Sequence, residues 1–257
     1  MRSLPGILLL ALLAPTLGAQ QTEGPVVTMR DGGVSQVLQS IYIPPLLNAP
    51  FTATVHTQWI RQLPDGGAFT LVNQRRIARD SLGRIYEERW LLVPKDGQIP
   101  SQMNVVQIAD PGAHTLLNCF LLRQPHRCTL ESFRESATAA YKPLILTSGP
   151  LPKNAGFRNH EELGKQSFDG IETAGTRDST TYNEGVLGND QPFSVKREFW
   201  YAASLGINLL SELSDPSFGK EIFTVTDITL AEPEAKLFEV PEGFEVVDHR
   251  RPAAAQE

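Results

Sequence analysis

From residue 51 onward, apolar and polar positions alternate in short runs separated by turn residues. FTATVHTQWIRQL (51–63) sets Phe51, Ala53, Val55 and Trp59 on one face and Thr54, His56 and Gln58 on the other. A period of two is the mark of a half-buried strand. PDGG (64–67) is a turn signal, and AFTLVNQRRIARD returns as the partner strand. DSLG (80–83) turns the chain again before RIYEERWLLV, and NVVQIAD, a DPGA turn, HTLLNCFLL and HRCTLESF extend the meander. Further strands follow at GKQSF, at IETAGTRDSTTY after an Asp169-Gly170 turn, and at FSVKREFWYA, INLLSELS and KEIFTVTDITL. The pattern predicts a mainly β fold: a curved antiparallel sheet or open half-barrel of about eleven strands with few short helices.

Three segments break this rhythm. Residues 1–19 carry Arg2, an apolar run from Ile7 to Ala14 and small residues up to Ala19, which reads as a cleaved signal peptide. The run is too short to span a bilayer as an anchor. Residues 136–157, with a short helix and a Pro/Gly-bearing loop, read as a lid or link. AEPEAKLFEVPEGFEVV is extended, and RPAAAQE reads as a frayed end. The expected organisation is a signal peptide at 1–19, a partly flexible segment at 20–37, one β domain at 38–247 and a disordered tail at 248–257.

Charge narrows the partners. The formal net charge of the 257 residues is −6, falling to −7 when Arg2 leaves with the signal peptide. Acidic and basic residues are interspersed, and no basic stripe suits a phosphate backbone, so nucleic acid is not an expected partner. No second apolar stretch is long enough to span a membrane, so no transmembrane segment is expected after cleavage.

The chemistry-bearing residues are few. His114, Cys119, His126 and Cys128 have the residue types of a zinc site, but strand parity sends His114 away from the cysteines. With Arg123 and Gln124 at the tip of a hairpin, Cys119 and Cys128 become directly opposed partners. In an exported chain this predicts a disulfide. No Gly-x-Ser-x-Gly or His-Glu-x-x-His motif is present, and HEELG (160–164) lacks the second histidine. GNDQP (188–192) and SDPSFG (214–219) read as turn chemistry. No catalytic residue, cofactor or metal ligand is expected.

The aromatic residues recur on strands. Phe199 and Tyr201 point one way and Trp200 the other, so the sheet there is expected to be covered on both sides. Phe51, Val55, Trp59, Trp90, Phe199, Trp200, Tyr201 and Leu209 are the candidate cavity-lining residues.

The ordered set SFDGIETAGTR, GVLGNDQPFSVKREFWYAASLGINLLSELSDPSFGKEIFTVTDI and EPEAKLFEVPEGFEV resembles a family of exported bacterial proteins to which no reaction is assigned. The stretches IYIPPLLNAPFTATVHTQWIRQLPDGG and RIARDSLGRIYEERW look like that family as well, so the resemblance covers roughly residues 38–247. More distantly the strand series is similar to the LolA-like and LppX-like lipoprotein-carrier half-barrels of the periplasm. The resemblance implies a sheet wrapped around an apolar cavity. The expected function is therefore an exported, periplasmic or extracellular protein that binds an apolar or amphiphilic ligand, a lipid or a lipidated segment. The alternatives are an interaction module of the cell envelope with a packed interior and, more weakly, a hydrolase with loop-borne residues.

Overall fold

The computed structural model describes residues 41–133 and 146–250. Its strands are β1 (Phe51–Gln62), β2 (Ala68–Arg79), β3 (Ile85–Trp90), β4 (Val93–Pro94), β5 (Met103–Asp110), β6 (Thr115–Phe120) and β7 (Arg127–Ser132). After 146 come β8 (Gly149–Pro150), β9 (Gly156–Phe168), β10 (Ile171–Tyr182), β11 (Phe193–Ala202), β12 (Ile207–Asp215), β13 (Gly219–Thr229) and β14 (Glu245–Asp248). They form one open sheet in the order β14-β7-β6-β5-β3-β2-β1-β13-β12-β11-β10-β9-β8, with β4 on β2. All pairings are antiparallel except that of β14 with β7. The fold is thus mainly β, as the alternation predicts.

The fourteen strands exceed the expected count. The additions are β4, β8 and β14, which are two or four residues long and too short to show a period. β9 also starts at Gly156 rather than near Gly164. The described residues hold two 3-10 turns, at Pro152–Asn154 and Ala235–Phe238, and no α-helix. None is long and apolar enough to cross a membrane. The signal peptide, the segment at 20–37, most of the helix-bearing part of 136–157 and the tail beyond 250 lie outside the described residues. Within the expected tail, Asp248 closes β14 and Arg250 folds back onto its carboxylate.

Hairpin turns carry the residues their geometry needs. At Asp80–Arg84 the Asp80 carboxylate accepts the backbone N–H groups of Leu82 (3.0 Å) and Arg84 (2.7 Å). Gly83 follows at φ 78°, where a Cβ would stand 3.1 Å from the Pro45 carbonyl oxygen. Only glycine meets both demands without strain.

Each face of the sheet carries its own apolar cluster. In antiparallel pairs, directly opposed residues share a face. Phe51, Ala53 and Val55 therefore stand beside Ile77 on one side and Val225 and Phe223 on the other, and all are buried. Leu209, Ile85 and Ala109 extend this first cluster, and Ile41 and Ile43 of the leading segment join it. The opposite face gathers Ala78, Tyr86, Val106, Ile108, Leu117 and the two cysteines. Leu237, Phe238 and Phe244, from the crossing between β13 and β14, pack against this second cluster. Irregular chain therefore covers part of this face. Each fully buried Phe, Val or Ile contributes roughly 1.5–3 kcal/mol.

Cys119 and Cys128 are directly opposed in the β6–β7 pair and joined by a disulfide. His114 sits in the preceding turn at φ 53°, and His126 stacks on Phe244 with ring centroids 4.9 Å apart.

Arg79 closes the base of the first face. Its guanidinium is fully buried and donates to the carbonyls of Ala49 (2.9 Å), Pro44 (2.8 Å) and Leu205 (2.9 Å). It also lies 5.1 Å from the Phe51 ring centroid. Burial pushes its pKa down to about 10. Carbonyl dipoles stand where a carboxylate would in an ion pair, which ties the leading segment and the β11–β12 turn to β2.

Candidate ligand-binding site

Beyond Val55 the first face changes character. Trp59 opposes Leu71 on β2 and Glu221 on β13. Glu221 opposes Leu213, Leu213 opposes Arg197, Arg197 opposes Asp178, and Asp178 opposes His160. The row Leu71–Trp59–Glu221–Leu213–Arg197–Asp178–His160 therefore crosses seven strands on one face. Apolar residues and charges share it.

At the tips of the β1–β2 and β12–β13 hairpins a cavity of about 880 Å³ is walled by Trp59, Ile60, Leu63, Pro64, Phe69 and Pro216. Arg61, Lys220 and Asp215 supply its charges. Trp59 Nε1 donates to the Phe218 carbonyl at 3.1 Å, and its ring meets Phe69 edge-on at 6.1 Å. The indole is thus held in place without being sealed into a core. Leu63, Phe69 and Phe218 are large apolar residues that stay exposed around it. A cluster of this kind at the end of a rigid sheet marks a binding surface more often than a packing fault.

Next to it along β12 and β13 lies an inner pocket of about 220 Å³. Phe199, Tyr201 and Phe223 line it, with Ser211, Arg197 and Glu221, and Ile41 and Tyr42 of the leading segment complete its wall. Glu221 is 7 % exposed. Burial raises the pKa of its carboxyl, against the opposing pull of Arg197. The Glu221 carboxylate makes no hydrogen bond or ion pair among the described residues.

A third cavity, about 620 Å³, opens on the opposite face between β1, β2 and β3, with Trp90, Val72 and Val93 beside His56, Arg76 and Glu88. The Glu88 carboxylate is already engaged by Trp90 Nε1 (2.7 Å), the Tyr86 hydroxyl (3.0 Å) and the Arg76 backbone N–H (3.1 Å). His56 Nε2 lies 3.0 Å from the Thr226 hydroxyl.

The sequence-derived lining residues separate into groups. Phe51, Val55 and Leu209 are fully buried in the first cluster. Trp59 walls the tip cavity, Trp90 the cavity on the opposite face, and Phe199 and Tyr201 the inner pocket. Trp200 packs elsewhere: a Cβ on Gly175 would meet its ring at 2.7 Å, and its Nε1 donates to Glu198 at 2.8 Å. Glu221, Arg197 and Phe69 were not singled out from sequence. The signal for Glu221 was present in KEIFTV, where it shares strand parity with Phe223 and Val225.

No family model and no curated protein matches the chain. Among solved structures it is similar to a chain of the Pseudomonas aeruginosa MucA/MucB complex at 17% identity and TM-score 0.37, over 77% of this chain and 58% of that one. It is also similar to a LolA superfamily protein from Nitrosomonas europaea, at 9% identity and TM-score 0.29 over 75% of this chain and 91% of that one. The Mycobacterium tuberculosis lipoprotein LppX gives 12% identity and TM-score 0.31, over 73% and 89%. These are distant likenesses, and the chain spans about 58% of the length of the MucB-complex chain it matches.

Proposed function

We propose that the chain is an exported, non-catalytic binding module that holds the apolar part of an amphiphile, a lipid or a lipidated segment, at the tips of β1, β2, β12 and β13. The observation that carries this reading is the tip cavity of about 880 Å³ with Trp59, Phe69, Leu63 and Ile60 in its wall. That volume falls within the roughly 300–1,000 Å³ typical of small-molecule sites. An acyl chain seated there gains about 0.8 kcal/mol for each methylene removed from water, so ten methylenes offset the loss of ligand freedom. The leader at 1–19 supports a periplasmic or extracellular setting.

The test is uptake of a fluorescent fatty-acid probe by the purified chain, together with native mass spectrometry for co-purified lipid. Saturable uptake that drops at least tenfold in Trp59→Ala and Phe69→Ala supports the reading. A wild-type chain that takes up no probe and carries no lipid overturns it. The second reading, an envelope interaction module with a packed interior, draws support from the complete burial of Phe51, Val55, Ile77 and Leu209. It is the reading left standing by that second outcome.

A further inference from the structure

We propose that the inner pocket binds the zwitterionic aminoalkyl phosphate head of that amphiphile, its ammonium at Glu221 and its phosphate at Arg197. This deepens the amphiphile reading and rests on it.

Glu221, a residue only 7 % exposed, makes no hydrogen bond or ion pair among the described residues, and the longer-range pull of Arg197 is the opposite charge that acts on it. Buried charges are normally paired, because an uncompensated one loses its hydration for nothing in return. Here the residue lines a cavity, so a ligand has room to bring a closer partner than Arg197. The walls narrow the choice. Phe199, Tyr201 and Phe223 are among the lining residues, and aromatic rings beside a carboxyl favour a cation. Burial raises the Glu221 pKa, and an ammonium beside it would pull that pKa back down.

The opposite end of the pocket calls for an anion. Arg197 lies in the same cross-strand row as Glu221 with only Leu213 between them, which sets their Cα atoms about 10 Å apart at normal strand spacing. Its side chain is exposed and has no ion pair among the described residues. Apart from the longer-range pull between it and Glu221, the neighbouring acids are engaged elsewhere. Asp178, the next residue in the row, is engaged by His160 Nδ1 at 2.8 Å, and Glu212 is paired with Lys220 at 2.8 Å. A free guanidinium offers a planar fork suited to phosphate oxygens. Leu213 then forms the apolar floor for the two-carbon link between ammonium and phosphate. On the other side of Glu221 in the row stands Trp59, which walls the tip cavity, so a chain attached to this head would run toward that cavity.

The experiment titrates the full chain with short-chain phosphatidylethanolamine, short-chain phosphatidylglycerol and free phosphoethanolamine, using calorimetry. The wild type is expected to bind the ethanolamine lipid about tenfold more tightly than the glycerol lipid. Glu221→Gln should erase that preference while leaving the glycerol lipid unchanged, and Arg197→Gln should weaken both phosphates. Binding of free phosphoethanolamine would show that a water-soluble head suffices. Its absence beside a retained lipid preference would identify the lipid as the source. Equal affinity for the two lipids in the wild type, or a preference that survives Glu221→Gln, overturns the proposal. Arg197 is exposed, so its variant folds and keeps the test decisive even if the buried substitution disturbs the sheet. Probe uptake without head preference sinks only the head site, whereas head binding without probe uptake sinks only the acyl site.

Discussion

Strands β1 and β2 present one face along their whole length, and its two ends behave in opposite ways. At the base, Phe51, Val55 and Ile77 are fully buried, with Arg79 bound to three backbone carbonyls beneath them. At the tip, Trp59 and Leu71 occupy the same face and the same register but remain partly exposed, and Trp59 walls a cavity of about 880 Å³. The difference lies in what each end has to cover it. The base receives Ile41, Ile43 and Leu205 from irregular chain, held there by the Arg79 guanidinium. Among the described residues the tip is bordered by the exposed Leu63, Phe69 and Phe218, with one hydrogen bond from the indole to the Phe218 carbonyl. Residues of similar apolarity thus serve stability at one end and are left available for a ligand at the other.

The comparison breaks most sharply at Arg79. Arg79→Met leaves three buried carbonyls without their donor, and the expected loss is about 3–5 kcal/mol. Urea unfolding followed by tryptophan fluorescence measures it, and a loss under 1 kcal/mol would mean that the base is not sealed by this group. A matched pair sharpens the contrast. Ile77→Ala should destabilise by about 2–4 kcal/mol, because its cavity cannot refill. Leu71→Ala, on the same strand and face, should cost below about 1 kcal/mol because its surroundings are already open. Equal losses would erase the distinction between the two ends.

The smallest effect is expected at the far end of the tip row. His160 is flanked by Asp178 (Nδ1, 2.8 Å) and Glu162 (Nε2, 3.1 Å), and the hydrogen bonds to these acids, Asp178 first, raise its pKa. A raised pKa means that the imidazolium stabilises the fold fully below the unfolded-state value near 6.5. That stabilisation is lost as pH rises through the higher folded value. The difference in urea midpoint between wild type and His160→Gln should therefore shrink from pH 6 to pH 8.5. A difference independent of pH would remove the role of the charge.

Legibility in the sequence followed burial. Strands with one buried face, such as FTATVHTQWI, announce themselves by alternation, and turns such as DSLG by their Asp and Gly. The first part of β9, GFRNHEEL, did not, since it lies near the edge, none of its residues is buried, and its less exposed positions include Arg158 and His160 where apolar residues would mark the alternation. The cross-strand disulfide was legible because hairpin symmetry alone fixes it. Arg79 and Glu221 were not, although both share parity with buried neighbours, because a charge at such a position reads as a surface residue until its partners are known. Trp59 was found as an aromatic on the apolar face. That it borders a cavity while Phe51 is sealed depends on chain arriving from residues 41–47 and 203–206, which no local period encodes.

The parallel pairing of β14 with β7 has a consequence for how the chain is made. Arg127 and Glu245, ion-paired at 3.1 Å, are 118 residues apart. During synthesis, everything up to β13 is made before that edge can be occupied. Until then β7 offers a bare strand, and the second cluster lacks Leu237, Phe238 and Phe244. An unfinished chain therefore displays an open hydrogen-bonding edge beside an apolar patch, the two features that invite aggregation and degradation. Because β14 is the last strand made among the described residues, its pairing with β7 is the last contact that can cover this edge.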